Sequence, residues 1–187
     1  EKAVAPPLLL AALAHDWRGF EALRETMAAG PKVGNDDEMA DRMMQVLYEA
    51  FAAACEAIGD NGRGGCVRPG TGTAMYYLWL ARGHDGMREP VVGATADGRH
   101  RGDPFSSSLA PAPGAAVQGP VSVLQSFAKL DYRRLCNGGP ITLELSDAVF
   151  RHPEAIRKVA LFVRMFARLG CQQLQLNTLN ADTLRDA

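Results

Sequence analysis

Apolar residues recur along this chain at two periods, and the alternation between them lays out its elements. Leu10, Leu13, Trp17, Phe20 and Leu23 fall three and four apart, the spacing of an amphipathic helix. Pro6-Pro7 opens that helix, since its first positions need no N–H partner, and Gly30-Pro31 marks its end. The turn Gly34-Asn35-Asp36-Asp37 offers acidic caps to a second helix over roughly 38–57. Met39, Met43, Val46, Leu47, Ala50, Ala54 and Ile58 lie on one face of it. Residues 59–65 form a glycine-rich loop, and the apolar, aromatic run 74–81 between glycines reads as a buried strand.

The second half alternates strand and helix. Pro120 opens a helix with Val121, Leu124 and Phe127 or Ala128 on its apolar face. Asn137-Gly138-Gly139-Pro140 is a turn, and 141–145 alternates as a strand. His152-Pro153 starts a helix whose expected core face is Ile156, Val159, Ala160, Val163, Phe166 and Ala167, closed by Gly170. A strand over 171–176 follows, and a further helix begins at 181–185. The alternation predicts an α/β fold. Between these halves runs a loop over 92–119, too rich in Gly, Pro and polar residues for a helix or a buried strand. Loops of that length in compact domains are usually functional.

Composition narrows the chemistry. A formal net charge of -1 gives no basic footprint for nucleic acid. No apolar run reaches the roughly 20 residues a membrane span needs. The start mimics a signal peptide, but its apolar core is short and continues into the helix. Cys55, Cys66, Cys136 and Cys171 are scattered without metal-type spacing, so they read as reduced thiols of a cytoplasmic protein. Cys55 and Cys171 fall on apolar faces and Cys136 in a turn region. His15, His84, His100 and His152 pair with no ligand set, and no metal site is expected. Asn35-Asp36-Asp37 lacks the remaining positions of a calcium loop, which leaves helix capping. Asp97 and Arg99 could form an anion or acid site. The favoured reading is a turn at Asp97-Gly98, with Arg99 tying the loop to nearby carbonyls or carboxylates.

Four blocks in order resemble a known family. They are Phe20-Glu21-Ala22-Leu23-Arg24 with Pro31-Lys32-Val33-Gly34-Asn35-Asp36-Asp37 and Asp41; Gly64-Gly65 with Pro69-Gly70-Thr71; Gly93-Ala94-Thr95-Ala96-Asp97-Gly98-Arg99 with Ser108-Leu109-Ala110-Pro111 and the run from Gly119-Pro120-Val121 to Lys129-Leu130; and Gln173-Leu174-Gln175-Leu176-Asn177 with Thr183-Leu184-Arg185-Asp186-Ala187. Together they are similar to the glycyl radical enzymes of the pyruvate formate-lyase type, whose patterns include P-K-Y-G-N-D-D, G-x-T-P-D-G-R and G-P-T-A-x-x-x-S-x-x-K-L. Ala96 departs from the pattern, standing where the family usually has Pro.

The resemblance implies part of a ten-stranded α/β barrel, roughly its second half, with 1–187 as one partial barrel domain. It implies a thiyl cysteine on a loop inside the barrel and a glycine that stores the radical, both expected outside this chain. The family's R-V-x-G-Y motif is absent from it. Cys66 sits in a run similar to the family's G-C-V-E-P, but its position is wrong and Arg68 replaces the glutamate, so a loop thiol is expected and no catalytic residue is assigned. Ser107, Ser108, Leu109, Ala110 and Pro111 are the substrate-binding candidates, because in the family this loop lines the cavity wall. The competing reading is that the serines solvate a surface loop.

The implied activity is hydrogen abstraction from a small organic substrate, leading to C–C cleavage, dehydration or decarboxylation. No cofactor is expected to be bound. The glycyl radical would be installed by an activating enzyme that carries S-adenosylmethionine and an iron–sulfur cluster. The resemblance further implies a homodimer at full length, while these 187 residues, which start at Glu1 without Met, read as an inactive fragment. The rival reading is a truncated or degenerate barrel homologue with a binding or structural role.

Overall fold

The computed structural model describes residues 4–71, 92–103, 105–106 and 108–180. The strand expected over 74–81 and the helix expected at 181–185 lie outside the described residues. The chain divides into two compact units, Glu1–Pro31 with Thr73–Phe105 and Lys32–Gly72 with Ser106–Ala187.

In the first unit, the single helix expected between Pro6 and Gly30 is two: α1 (Pro6–Ala14) and α2 (Glu21–Ala28). The break comes from Asp16, Trp17 and Gly19, which all take positive φ (54°, 64° and 80°). Such a conformation costs a side-chain-bearing residue stability, and here tertiary contacts offset the cost. Trp17 is 1% exposed, and its indole Nε1 donates to Arg99 O at 3.1 Å. Periodicity alone extended the helix through a residue whose burial requires that the helix stop.

The second unit holds α3 (Glu38–Ile58), α4 (Pro120–Phe127), β1 (Pro140–Ser146), α5 (Pro153–Arg168) and β2 (Gln173–Leu179). β1 and β2 pair in parallel, from Pro140 opposite Gln173 to Ser146 opposite Leu179, with α5 in the connection. This is the βαβ arrangement that a parallel pair demands. Asp37 caps α3, its Oδ1 accepting from the amides of Met39 and Ala40 at 3.0 Å each. The core gathers Val123, Leu124 and Phe127 of α4 with Leu130, Tyr132, Leu135, Ile141, Leu143, Phe162 and Cys171.

Two helix faces differ from expectation. On α3, Met39, Met43, Val46, Leu47 and Ile58 are exposed, while Asp41, Ala52 and Cys55 are buried and Met44 and Tyr48 pack on the core. On α5, Phe162 is buried and Met165 and Phe166 pack on the core, whereas Ile156 and Val163 are exposed. Both helices are apolar around more than one face. Counting apolar spacings finds the broadest stripe, but the described core covers a different one.

Candidate functional site

The loop that carries the substrate-binding candidates is braced from two sides within the second unit. Ser108 has φ 49°, a left-handed conformation that a serine holds only when its surroundings impose it. Leu109 N donates to Pro140 O at 3.0 Å, and the Leu109 side chain packs on the core. Gly139, at φ +47°, lets it approach: a Cβ there would stand 3.2 Å from Leu109 Cδ1 and 2.9 Å from Leu135 Cδ1. Ser108, Leu109, Ala110 and Pro111 are all half-buried. Ser107 lies outside the described residues.

The second brace is the segment 33–37. A Cβ on Gly34 would lie 2.6 Å from Pro111 Cγ, so the ring of Pro111 rests directly on the Gly34 backbone. Gly34 is held in turn by α4. Ser126 Oγ accepts from Gly34 N at 3.1 Å and from Asp36 N at 2.9 Å. The Ser122 hydroxyl is shared between Gly34 O at 3.1 Å and Gly119 O at 2.7 Å. Asn35 reaches the far end of the loop, its Nδ2 donating to Ala115 O at 2.7 Å and its Oδ1 accepting from Val117 N at 2.9 Å. Replacing Ser126, which is fully buried, with Ala leaves two amides without their acceptor. Ser126→Ala is expected to cost about 1–3 kcal/mol, measured by urea unfolding; a loss below about 0.5 kcal/mol would contradict this account.

Beneath this segment lies a charged triad. Lys129 Nζ donates to Asp36 Oδ1 at 2.7 Å and to Asp41 Oδ2 at 2.6 Å. Asp41 is 1% exposed, and its Oδ1 has no hydrogen-bond partner among the described residues. Ser122, Ser126, Lys129, Gly34 and Asp41 all fall within the family-like blocks of the sequence, which assign them no role. Their signal lies in the spacing: Ser122 and Ser126 fall four apart on α4, and Lys129 follows three later, just past the end of the helix at Phe127.

In the first unit, Arg99 makes loop contacts. It donates to the carbonyls of Gly93, His100 and Asp103 and to Thr95 Oγ1, and its guanidinium lies 4.1 Å from the Phe105 ring centre. Asp97 accepts from Thr95 Oγ1, and Gly98 N donates to Thr95 O at 3.1 Å. Gly98 carries φ +94°, and a Cβ there would meet Ala28 Cβ at 2.8 Å. Both Asp97 and Arg99 therefore hold the loop's shape. Asp16, accepting from Arg101 N at 2.7 Å, is held below the usual carboxylate range chiefly by that backbone bond.

The cysteines divide into two pairs, Cys55 and Cys171 buried, Cys66 and Cys136 exposed. Burial pushes the Cys171 thiol up, and burial likewise raises the neighbouring Tyr132 hydroxyl, so both stay neutral. No group of three potential metal ligands occurs among the described residues.

Residues 1–80 match the pyruvate formate lyase-like family and residues 105–187 the glycine radical family. The chain is 26% identical over 184 residues to trans-4-hydroxy-L-proline dehydratase of Clostridioides difficile, covering 96% of this chain and 22% of that protein. It is 27% identical over 193 residues to isethionate sulfite-lyase of Bilophila wadsworthia, covering all of this chain and 22% of the relative. The glycerol-bound B12-independent glycerol dehydratase of Clostridium butyricum shares the fold, with a TM-score of 0.86 at 22% identity over 98% of this chain and 22% of its own. The α/β architecture is thus that of part of a glycyl radical enzyme barrel, and the chain spans about 22% of the length of the curated relatives it matches. With relatives aligned along nearly its whole length and two family matches in sequence order, the chain belongs to the glycyl radical enzymes of the pyruvate formate lyase-like family.

Proposed function

We propose that the whole protein is a glycyl radical enzyme acting on a small organic substrate, and that 107–111 forms part of its cavity wall. The observation that carries this reading is the strained and doubly braced loop: Ser108 at positive φ, Leu109 anchored to Pro140 and Pro111 seated on Gly34. A loop that only needed solvation would not require a left-handed serine supported by two separate elements. When installed, the glycyl radical supplies the oxidising equivalent for hydrogen abstraction through a thiyl cysteine. Both of those residues are assigned to the rest of the protein.

The residues in hand have a more limited role. Ala110 and the accessible parts of Leu109 and Pro111, whose side chains also pack on the core and on Gly34, present apolar wall and exclude water. Ser108 offers a hydroxyl to a polar substrate. Residues 1–187 form one partial barrel domain without activity of their own. The intact protein is a cytoplasmic homodimer that binds no nucleic acid and needs a separate S-adenosylmethionine and iron–sulfur activating enzyme. Its relatives are dehydratases, a sulfite-lyase and decarboxylases, which favours elimination or decarboxylation over formate acetyltransfer.

The test is anaerobic activation of the full-length protein, with electron paramagnetic resonance for the radical and product analysis on hydroxyproline, isethionate, glycerol and arylacetates. A radical signal with turnover of one of these is the expected result. Absence of any radical under conditions that activate a control relative would favour the non-catalytic homologue instead.

A further inference from the structure

We propose that Cys66 and Cys136 form a reversible dithiol–disulfide pair, organised by the guanidinium of Arg68. The two residues are 70 positions apart in sequence, yet the fold joins their segments. Cys136 N donates to Pro69 O at 3.1 Å, and Asn137 Oδ1 accepts from Thr71 N at 2.9 Å, so residues 69–71 run beside 136–137. On the other side, Cys66 pairs with Asp60 in an isolated antiparallel bridge, and Val67 N donates to Gly59 O at 3.0 Å. The loop between is itself stapled, with Asn61 Oδ1 accepting from the amides of Arg63 and Gly65. Cys66 is therefore held in place rather than carried on a loose loop.

Arg68 links the two thiols. Its Nε donates to Cys66 Sγ at 3.2 Å, and the Cys66 sulfur first, then that of Cys136, hold Arg68 above the usual arginine value. Accessible thiols beside a fixed positive charge are the environment in which cysteines exchange with disulfides. Both thiols are exposed, whereas Cys55 and Cys171 are buried. A closed metal site is disfavoured by the lack of a third ligand among the described residues.

The chemistry balances with a small-molecule disulfide as oxidant. One thiol loses its proton, and its sulfur attacks the oxidant, releasing one small thiol and forming a mixed disulfide. The second cysteine, deprotonated in turn, displaces the second small thiol as the Cys66–Cys136 bond closes. The two cysteines lose two electrons and two protons; the oxidant gains them as two thiols.

The experiment uses the full-length protein, reduced anaerobically and then exposed to oxidised glutathione, alkylated and mapped by mass spectrometry. The expected result is a Cys66–Cys136 linked peptide, about 2 Da lighter than its two reduced parts. Cys136→Ser should instead leave one glutathione trapped on Cys66. Arg68→Gln should slow closure by about 3- to 10-fold. Separate glutathione adducts on each cysteine without a link, or two thiols that remain free, would overturn the proposal. So would an unchanged rate in Arg68→Gln.

Discussion

Gly34→Ala is expected to lower stability by about 2–5 kcal/mol and, on the function proposed above, to reduce turnover of the full-length protein more than radical yield. Two effects combine. Gly34 sits at φ +100°, where any L side chain is strained, and its new methyl would lie 2.6 Å from Pro111 Cγ and 3.1 Å from Pro111 Cβ. Real Cβ atoms do not tolerate such contacts, and proline has no flexible end to swing aside. The backbone of the loop around Pro111 must shift instead. Gly114→Ala is the control: Gly114 has φ +77° with nothing within 4 Å of the added carbon, so about 1–2 kcal/mol of backbone strain is expected there. Urea unfolding of both variants, with paramagnetic resonance and steady-state kinetics on the activated protein, separates the effects. Equal losses in the two variants would mean that Pro111 yields freely and that Gly34 does not brace the loop. Wild-type kinetics alongside a large stability loss would detach the brace from the proposed cavity wall.

How much of this was legible beforehand depends on what each residue needs. The cap at Asp37, the proline starts of α4 and α5 and the alternating β1 strand are local, and local rules found them. The end of α1 was not, because Trp17 leaves the helix for a partner, Arg99, that is 82 positions away. The apolar stripe of α3 was real as a pattern but faces away from the described core. Residues such as Met39 and Leu47 are 61% and 64% exposed, so the pattern identified the helix without identifying its packing. Family motif letters singled out the loop that carries Ser108 to Pro111. They could not show that Gly34, Ser122 and Ser126 shape it, since that relation exists only once α4 is folded against residues 33–37. The pairing of Cys66 with Cys136 through Arg68 was invisible for the same reason.

Lys129→Met is expected to cost about 3–5 kcal/mol at pH 7, more than an ordinary surface ion pair, because of what it leaves behind. Asp36 is 38% exposed and can be solvated, but Asp41 is 1% exposed, and without Lys129 its carboxylate is buried uncompensated. Replacing both members, Asp41→Leu with Lys129→Met, should therefore recover much of the loss, since an apolar pair demands no buried charge. The pH dependence gives an independent check. Burial pushes the Lys129 ammonium down, but the hydrogen bonds and charges of Asp36 and Asp41 together outweigh it and hold it above the ordinary 10.5. The native state then binds this proton more tightly than the unfolded chain. The resulting stabilisation is complete below the ordinary lysine value and is lost as pH rises through the higher native one. Wild-type protein should thus lose stability on the alkaline side over a range where Lys129→Met, having no such proton to lose, changes less. Parallel alkaline profiles in the two proteins, or a cost below about 1 kcal/mol at pH 7, would show that α4 and α3 are held together by their apolar contacts. The triad would then be a consequence of the fold rather than one of its supports.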